Sequence, residues 1–133
     1  MQEGWPLRIA RWLLGGWFLF SAVWFLAARL GSGIETPNDG SPAAAAFMGA
    51  LRDSGFISPL MYFFFAAGGL AMLLHRTAPL GLVLLGPFVV VIFFYHLVLT
   101  GNWGWGTFWF ALFVGLLWAY RQRIQTLWTL PEN

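Results

Sequence analysis

The stretch LGLVLLGPFVVVIFFYHLVLT, residues 80–100, contains no Asp, Glu, Lys or Arg. Wound as a helix at about 1.5 Å per residue it reaches about 30 Å, the thickness of a bilayer's hydrocarbon core. Pro79 opens it, where a first helical turn tolerates proline, and Gly86-Pro87 interrupts it, so a kink or a compensating neighbour helix is expected there. Residues 89–95 include no small side chain, which turns part of this helix toward lipid or another protein.

Working outward, three further runs have the same character. Residues 7–30 follow Pro6 and are uncharged across 13–28. Residues 58–74 begin at Ser58-Pro59 and stop at His75-Arg76. Residues 103–120 end on Arg121 and Arg123. The expected fold is an all-α membrane protein: one domain over 1–133, four transmembrane helices at 7–30, 58–74, 80–100 and 103–120, and a tail over 121–133. Composition agrees. Of 133 residues, 59% are apolar, 20% aromatic and 9% charged, more apolar surface than so small a globule can hide.

The net charge of +2 comes from seven arginines and no lysine, set at the ends of apolar runs where they snorkel to head groups; nucleic-acid binding is not expected. With no cysteine, disulfides, thiolate metal sites, CxxC pairs and covalent c-type haem are excluded. Arg8 and Arg11 before an apolar run resemble the start of a signal peptide. The run is too long and too rich in Trp and Phe, however, and Ala27-Ala28-Arg29 offers no small-x-small cleavage site, so the segment is expected to stay.

Residues 75–79 and 101–102 suffice only for tight turns, whereas the loop 31–57 is long. Ser41-Pro42 reads as an N-cap and first turn, 43–52 favours helix and Gly55 stops it, giving a short interfacial helix with Phe47, Ala50 and Leu51 on one face. Arg8, Arg11, Arg76, Arg121 and Arg123 fall on one side of the expected membrane against Arg29 and Arg52 on the other, which places both termini in the cytoplasm. Trp5, Trp12, Trp118 and Tyr120 then mark the inner interface, and Trp103 and Trp105 the outer one. Helix contacts are expected at the small residues Gly15-Gly16, Gly68-Gly69 and the stripe Ala111, Gly115, Ala119.

A resemblance extends over most of residues 7–123. Phe47-Met48-Gly49-Ala50-Leu51, Ser54-Gly55-Phe56 with Pro59-Leu60, Gly68-Gly69-Leu70, Pro79-Leu80, Gly86-Pro87, Tyr95-His96-Leu97 and Trp118-Ala119-Tyr120-Arg121-Gln122-Arg123 resemble, in order and spacing, the DoxX family of small four-helix membrane proteins. Residues 8–11 and 13–15 fit more loosely. The resemblance implies a four-helix membrane fold and, for some members, association with quinone-linked oxidation of sulfur compounds. Phe65 stands six positions after Pro59 where relatives commonly carry an acid, Val91 where an Asn is common, and Ala22-Val23-Trp24-Phe25 where polar residues are often seen. The ionisable groups that mark an intramembrane site are thus replaced.

His96 is the one ionisable residue well inside an expected span. With Tyr95 and Trp103 it offers a pocket for a quinone, or a ligand to a haem or chlorophyll metal; equally, it serves as a neutral ring bonded to a neighbouring helix. His75 lies a membrane thickness away, which excludes bis-His haem within one chain. Arg29, Glu35, Asp39, Arg52 and Asp53 form either an ion-pair cluster at an outer entrance or solvated loop charges. Residues 101–106 are Gly-rich without a following Lys, so they are a turn and no phosphate loop. No serine has a neighbouring His and no two carboxylates share a helix face, so no catalytic residue and no metal site are expected. The expected role is a non-catalytic accessory subunit of a larger respiratory or photosynthetic complex, with the lipid bilayer and other membrane subunits as partners, in a bacterial inner membrane. The alternative is a quinone- or pigment-binding protein with its site near His96.

Overall fold

The computed structural model describes residues 3–31 and 40–129. The regular elements among them are helical: α1 (Trp5–Arg29), α2 (Pro42–Asp53), α3 (Ile57–Leu73), α4 (Ala78–Phe94) continued by a π-helical turn (Tyr95–Thr100), α5 (Trp103–Ala119) and α6 (Arg121–Gln125). The four apolar runs read from the sequence match these helices to within two residues at every boundary.

The helices pack in a ring: α1 on α3, α3 on α4, α4 on α5, and α5 back on α1. Trp12 of α1 meets Leu73 of α3, Phe18 meets Phe65 and Phe25 meets Tyr62, so α1 and α3 run antiparallel. The short connections on either side of α4 reverse the chain twice more. One end of the ring therefore gathers the start of α1, the α3–α4 turn and the end of α5; the other gathers the π turn, α2 and the start of α5. Two helices, Trp5–Arg29 and Ala78–Thr100, are long and apolar enough to cross a membrane. A third span results if α2 and α3 are taken together across their 92° bend, and α5 is a shorter apolar helix.

Close approach at glycine holds α1, α3 and α4 together. A Cβ on Gly15 would lie 2.9 Å from the Gly69 carbonyl, one on Gly69 2.8 Å from the Gly15 carbonyl, and one on Gly81 2.8 Å from the Gly68 carbonyl. These backbones touch as helices do in lipid, where packing and not water drives association. Leu14, Phe18, Met72, Leu82, Leu85 and Leu116 fill the interior.

On α5 the expected contact stripe is the wrong face. Ala111 and Gly115 are exposed, and a Cβ on Gly115 would meet nothing within 4 Å. Gly106, Trp109, Phe113 and Leu116 enter the core instead. At about 100° per residue, 111 and 115 sit roughly 200° from 109 and 113, on the opposite side. The bulky face wins because Trp109 stacks on Trp17 of α1 at 5.1 Å, filling a gap that small residues would leave open. Helix α4 runs through Pro87 without a break, and Gly86 beside it lies toward Phe113 of α5, the compensating neighbour.

The short helix α2 forms where Ser41-Pro42 predicts it. The Ser41 hydroxyl accepts from the Ala44 amide at 3.1 Å, satisfying an orphan N–H of the first turn, and donates to the Leu99 carbonyl at 2.5 Å, tying α2 to the π turn. Its inward face is Ala44, Phe47, Met48 and Leu51; Ala50, expected there, is exposed. Gly55, at φ +80°, makes the bend into α3.

Candidate functional site

The densest polar cluster among the described residues lies at the end of the ring where α1 begins and α5 stops. Arg11 is its centre. One turn and more inside α1, it shares a face with Leu7, Leu14 and Phe18, so the helix carries its guanidinium into the bundle, and it is only 3% exposed. A buried guanidinium requires a full set of acceptors. Each of the three Arg11 nitrogens has one: Nε donates to Glu3 Oε1 at 2.7 Å, Nη2 to Glu3 Oε2 at 3.1 Å, and Nη1 to the Met72 carbonyl at 2.6 Å.

Met72 belongs to the last turn of α3, whose carbonyls have no partners within the helix. Each is met from outside. Arg11 takes Met72 O, Trp12 Nε1 takes Leu73 O at 3.3 Å, and Thr77 Oγ1 donates to Ala71 O at 2.7 Å. A cation at this negative end of the helix dipole is favoured as well. Arg11 thus caps α3 and ties Glu3 to it.

The α3–α4 turn adds His75. Its Nδ1 lies 2.6 Å from the Tyr120 hydroxyl and 3.6 Å from Glu3 Oε1, and its carbonyl accepts from Arg123 Nη1 at 3.1 Å. Tyr120, 1% exposed, closes α5 from inside the cluster; it is a core residue and not the interfacial marker expected of it, because the inner face of α5 runs on from Leu116 to position 120. Arg8, half-exposed, approaches Glu3 Oε2 at 3.5 Å from the rim. The hydrogen bond from Arg11 holds the Glu3 carboxyl below its ordinary range, against the opposing effect of burial. Glu3 and Tyr120 approach the same nitrogen of His75, the hydroxyl within hydrogen-bond distance and the carboxylate beyond it. His75 Nε2 is buried without a hydrogen-bond partner among the described residues.

In the sequence Arg11 and Arg123 read as arginines anchoring the ends of apolar runs, and His75 as a residue at the inner end of its span, a membrane thickness from His96. The structure joins all three. The usable signal was the position of Arg11 on the 7, 11, 14, 18 stripe, the face that otherwise carries the core.

The residues singled out from sequence lie at the opposite end. Tyr95 and His96 open the π turn, their rings 5.2 Å apart and edge to face, with Phe47 of α2 5.7 Å from Tyr95. His96 Nδ1 is 3.3 Å from Thr100 Oγ1, and a Cβ on Gly106 would lie 2.8 Å from His96 Cβ, so α5 passes close to the turn. Trp103 begins α5 and is 65% exposed. Of the charged cluster, Arg29, Arg52 and Asp53 make no ion pair with another described residue, and Glu35 and Asp39 lie outside the described residues. The described residues include no group of three or more metal-ligating side chains.

Protein-family models, curated proteins and solved structures yield no match to this chain. The DoxX resemblance stands on the quoted residues alone.

Proposed function

We propose that this chain is a small four-span membrane subunit, both termini in the cytoplasm of a bacterium, that supports the assembly of a larger membrane complex and performs no chemistry of its own. The observation that carries this reading is the coordination of Arg11. Arg11, the one deeply buried cation among the described residues, is held by all three of its nitrogens on Glu3 and the Met72 carbonyl and works as a clamp between helices, whereas catalytic or transport charges are kept available to a substrate. Four spans follow if α3 and α5, each 17 residues, cross alone: at about 1.5 Å per residue each reaches about 26 Å, within the range of short spans. The ring order and the DoxX resemblance favour the same count. The partner-facing side is the outer face of α5, where Phe108 and Trp118 flank Ala111 and Gly115.

The test is co-purification from the native membrane through a C-terminal tag, with Gly115→Phe beside the unchanged chain. Stoichiometric recovery of a larger complex, lost in Gly115→Phe, is the expected result. Recovery of the chain alone, or only as copies of itself, sinks the proposal.

One observation favours a second reading. A π-helical turn is uncommon and recurs at functional sites, and here it carries His96 and Tyr95. A quinone, haem or chlorophyll bound there would be lost in His96→Ala, read by absorbance and by extraction of the purified protein; retention of the ligand in that variant excludes the site.

A further inference from the structure

The tight contact of α1 and α3 at Gly15 and Gly69 does not extend along the whole pair. Toward the end of α1 the gap is a groove of about 340 Å³, walled by Ala22, Leu26, Pro59, Tyr62 and Ala66, with Arg29 at its mouth. That volume lies at the small end of the usual range for ligand sites, roughly 300–1,000 Å³. Small residues make the floor: Ala22 is 4% exposed and Ala66 half-buried, while Phe25 and Tyr62 stack almost parallel at 5.9 Å alongside.

We infer that this groove holds one acyl chain of an anionic phospholipid from the surrounding bilayer, with Arg29 on its phosphate. Two features select this occupant. From Ala22 to Leu30 the groove follows α1 for about 12 Å, close to one leaflet's share, about 15 Å, of a 30 Å hydrocarbon core. The charge is at the correct end. Arg29 stands in the last turn of α1, where the spans meet the head-group level, and the rest of the lining is apolar. A guanidinium recognises phosphate by charge and paired donors. A protein segment filling the groove would place no anion at Arg29 unless it carried one, and a zwitterionic lipid would gain less from the arginine.

The site rests on the membrane-embedded reading of α1 and α3 and is independent of any partner subunit. The protein is reconstituted in nanodiscs of phosphatidylglycerol and phosphatidylcholine with matched acyl chains, and bound lipid is counted by native mass spectrometry after release. One phosphatidylglycerol per chain, favoured about fivefold over phosphatidylcholine, is the value a single arginine at the surface supports. Arg29→Gln abolishes that preference, Arg29→Lys keeps it, and Ala66→Leu, which fills the floor, lowers retention of both lipids while circular dichroism shows the helices intact. Equal retention of the two lipids by the unchanged chain, or an unaltered preference in Arg29→Gln, overturns the assignment. No retained lipid in any variant overturns it too, and leaves the helical bundle unaffected.

Discussion

Arg11 illustrates how one side chain sets the order of an entire bundle end. Its guanidinium closes a carboxylate on one side and a helix-terminal carbonyl on the other. Breaking a buried pair by removing one partner costs about 3–5 kcal/mol, because the remaining group loses both water and counter-charge. Arg11→Met is therefore expected to lower stability by about 3 kcal/mol, the low end, since Glu3 sits before α1 and can turn outward. Reversible unfolding in mixed detergent micelles reads this, and a loss under about 1 kcal/mol would mean the pair is not a clamp. The pH dependence follows from Glu3. Its folded-state pKa lies below the ordinary value near 4.5, so its contribution is fully present above that value and is lost as pH falls from there through the lower folded-state value. Glu3→Gln is expected to flatten the acid limb of a stability–pH curve measured in detergent. None of this grouping is legible in the sequence. Positions 3, 11, 75 and 120 meet only because α3 and α5 both run antiparallel to α1 and end where it begins, and the one local trace, an arginine on the core stripe, looks the same as a snorkelling one until the stripe's partner is known.

At the level of the helix, the sequence reads well where physics is local and poorly where it depends on a neighbour. The helix limits were legible because Pro6, Pro79, Ser41-Pro42 and the terminal arginines punctuate apolar runs. The π turn was not, since it lies where α5 folds back past His96 at Gly106, a contact set by how two successive helices pack and not by the local run of residues. Nor was the orientation of α5. A small-residue stripe states that a close contact is possible, and Trp109 and Phe113 decide which side the rest of this chain takes. The distinction is measurable. Gly69→Val pushes a side chain against the Gly15 carbonyl and the Leu19 amide, at 2.8 and 2.9 Å, and is expected to destabilise the bundle by about 1–3 kcal/mol. Gly115→Val, on the open face, is expected to stay within about 0.5 kcal/mol of the unchanged protein. Equal effects in the same unfolding assay would show that α5 is turned the other way.

For the molecule as a whole, the ring order sets a topology that single-cysteine labelling can check in a chain that has no cysteine of its own. With four spans, Arg76→Cys and Gln125→Cys share a side and Asp53→Cys lies opposite. An impermeant maleimide added to intact cells is expected to reach Asp53→Cys alone. Labelling of Arg76→Cys from the same side would mean that α3 does not cross, whereas an Asp53→Cys that no reagent reaches would make α2 with α3 a single bent crossing. The clamp also bears on how the chain is made. Its members are drawn from position 3 through position 123, so during synthesis Arg11 is made well before the carbonyl of residue 72, and His75 before Tyr120. A ribosome product cut short before α5 keeps the arginine pair but leaves the His75 ring without its hydroxyl partner. The same contacts that hold the bundle end together are thus completed only when α5 takes its place beside α1.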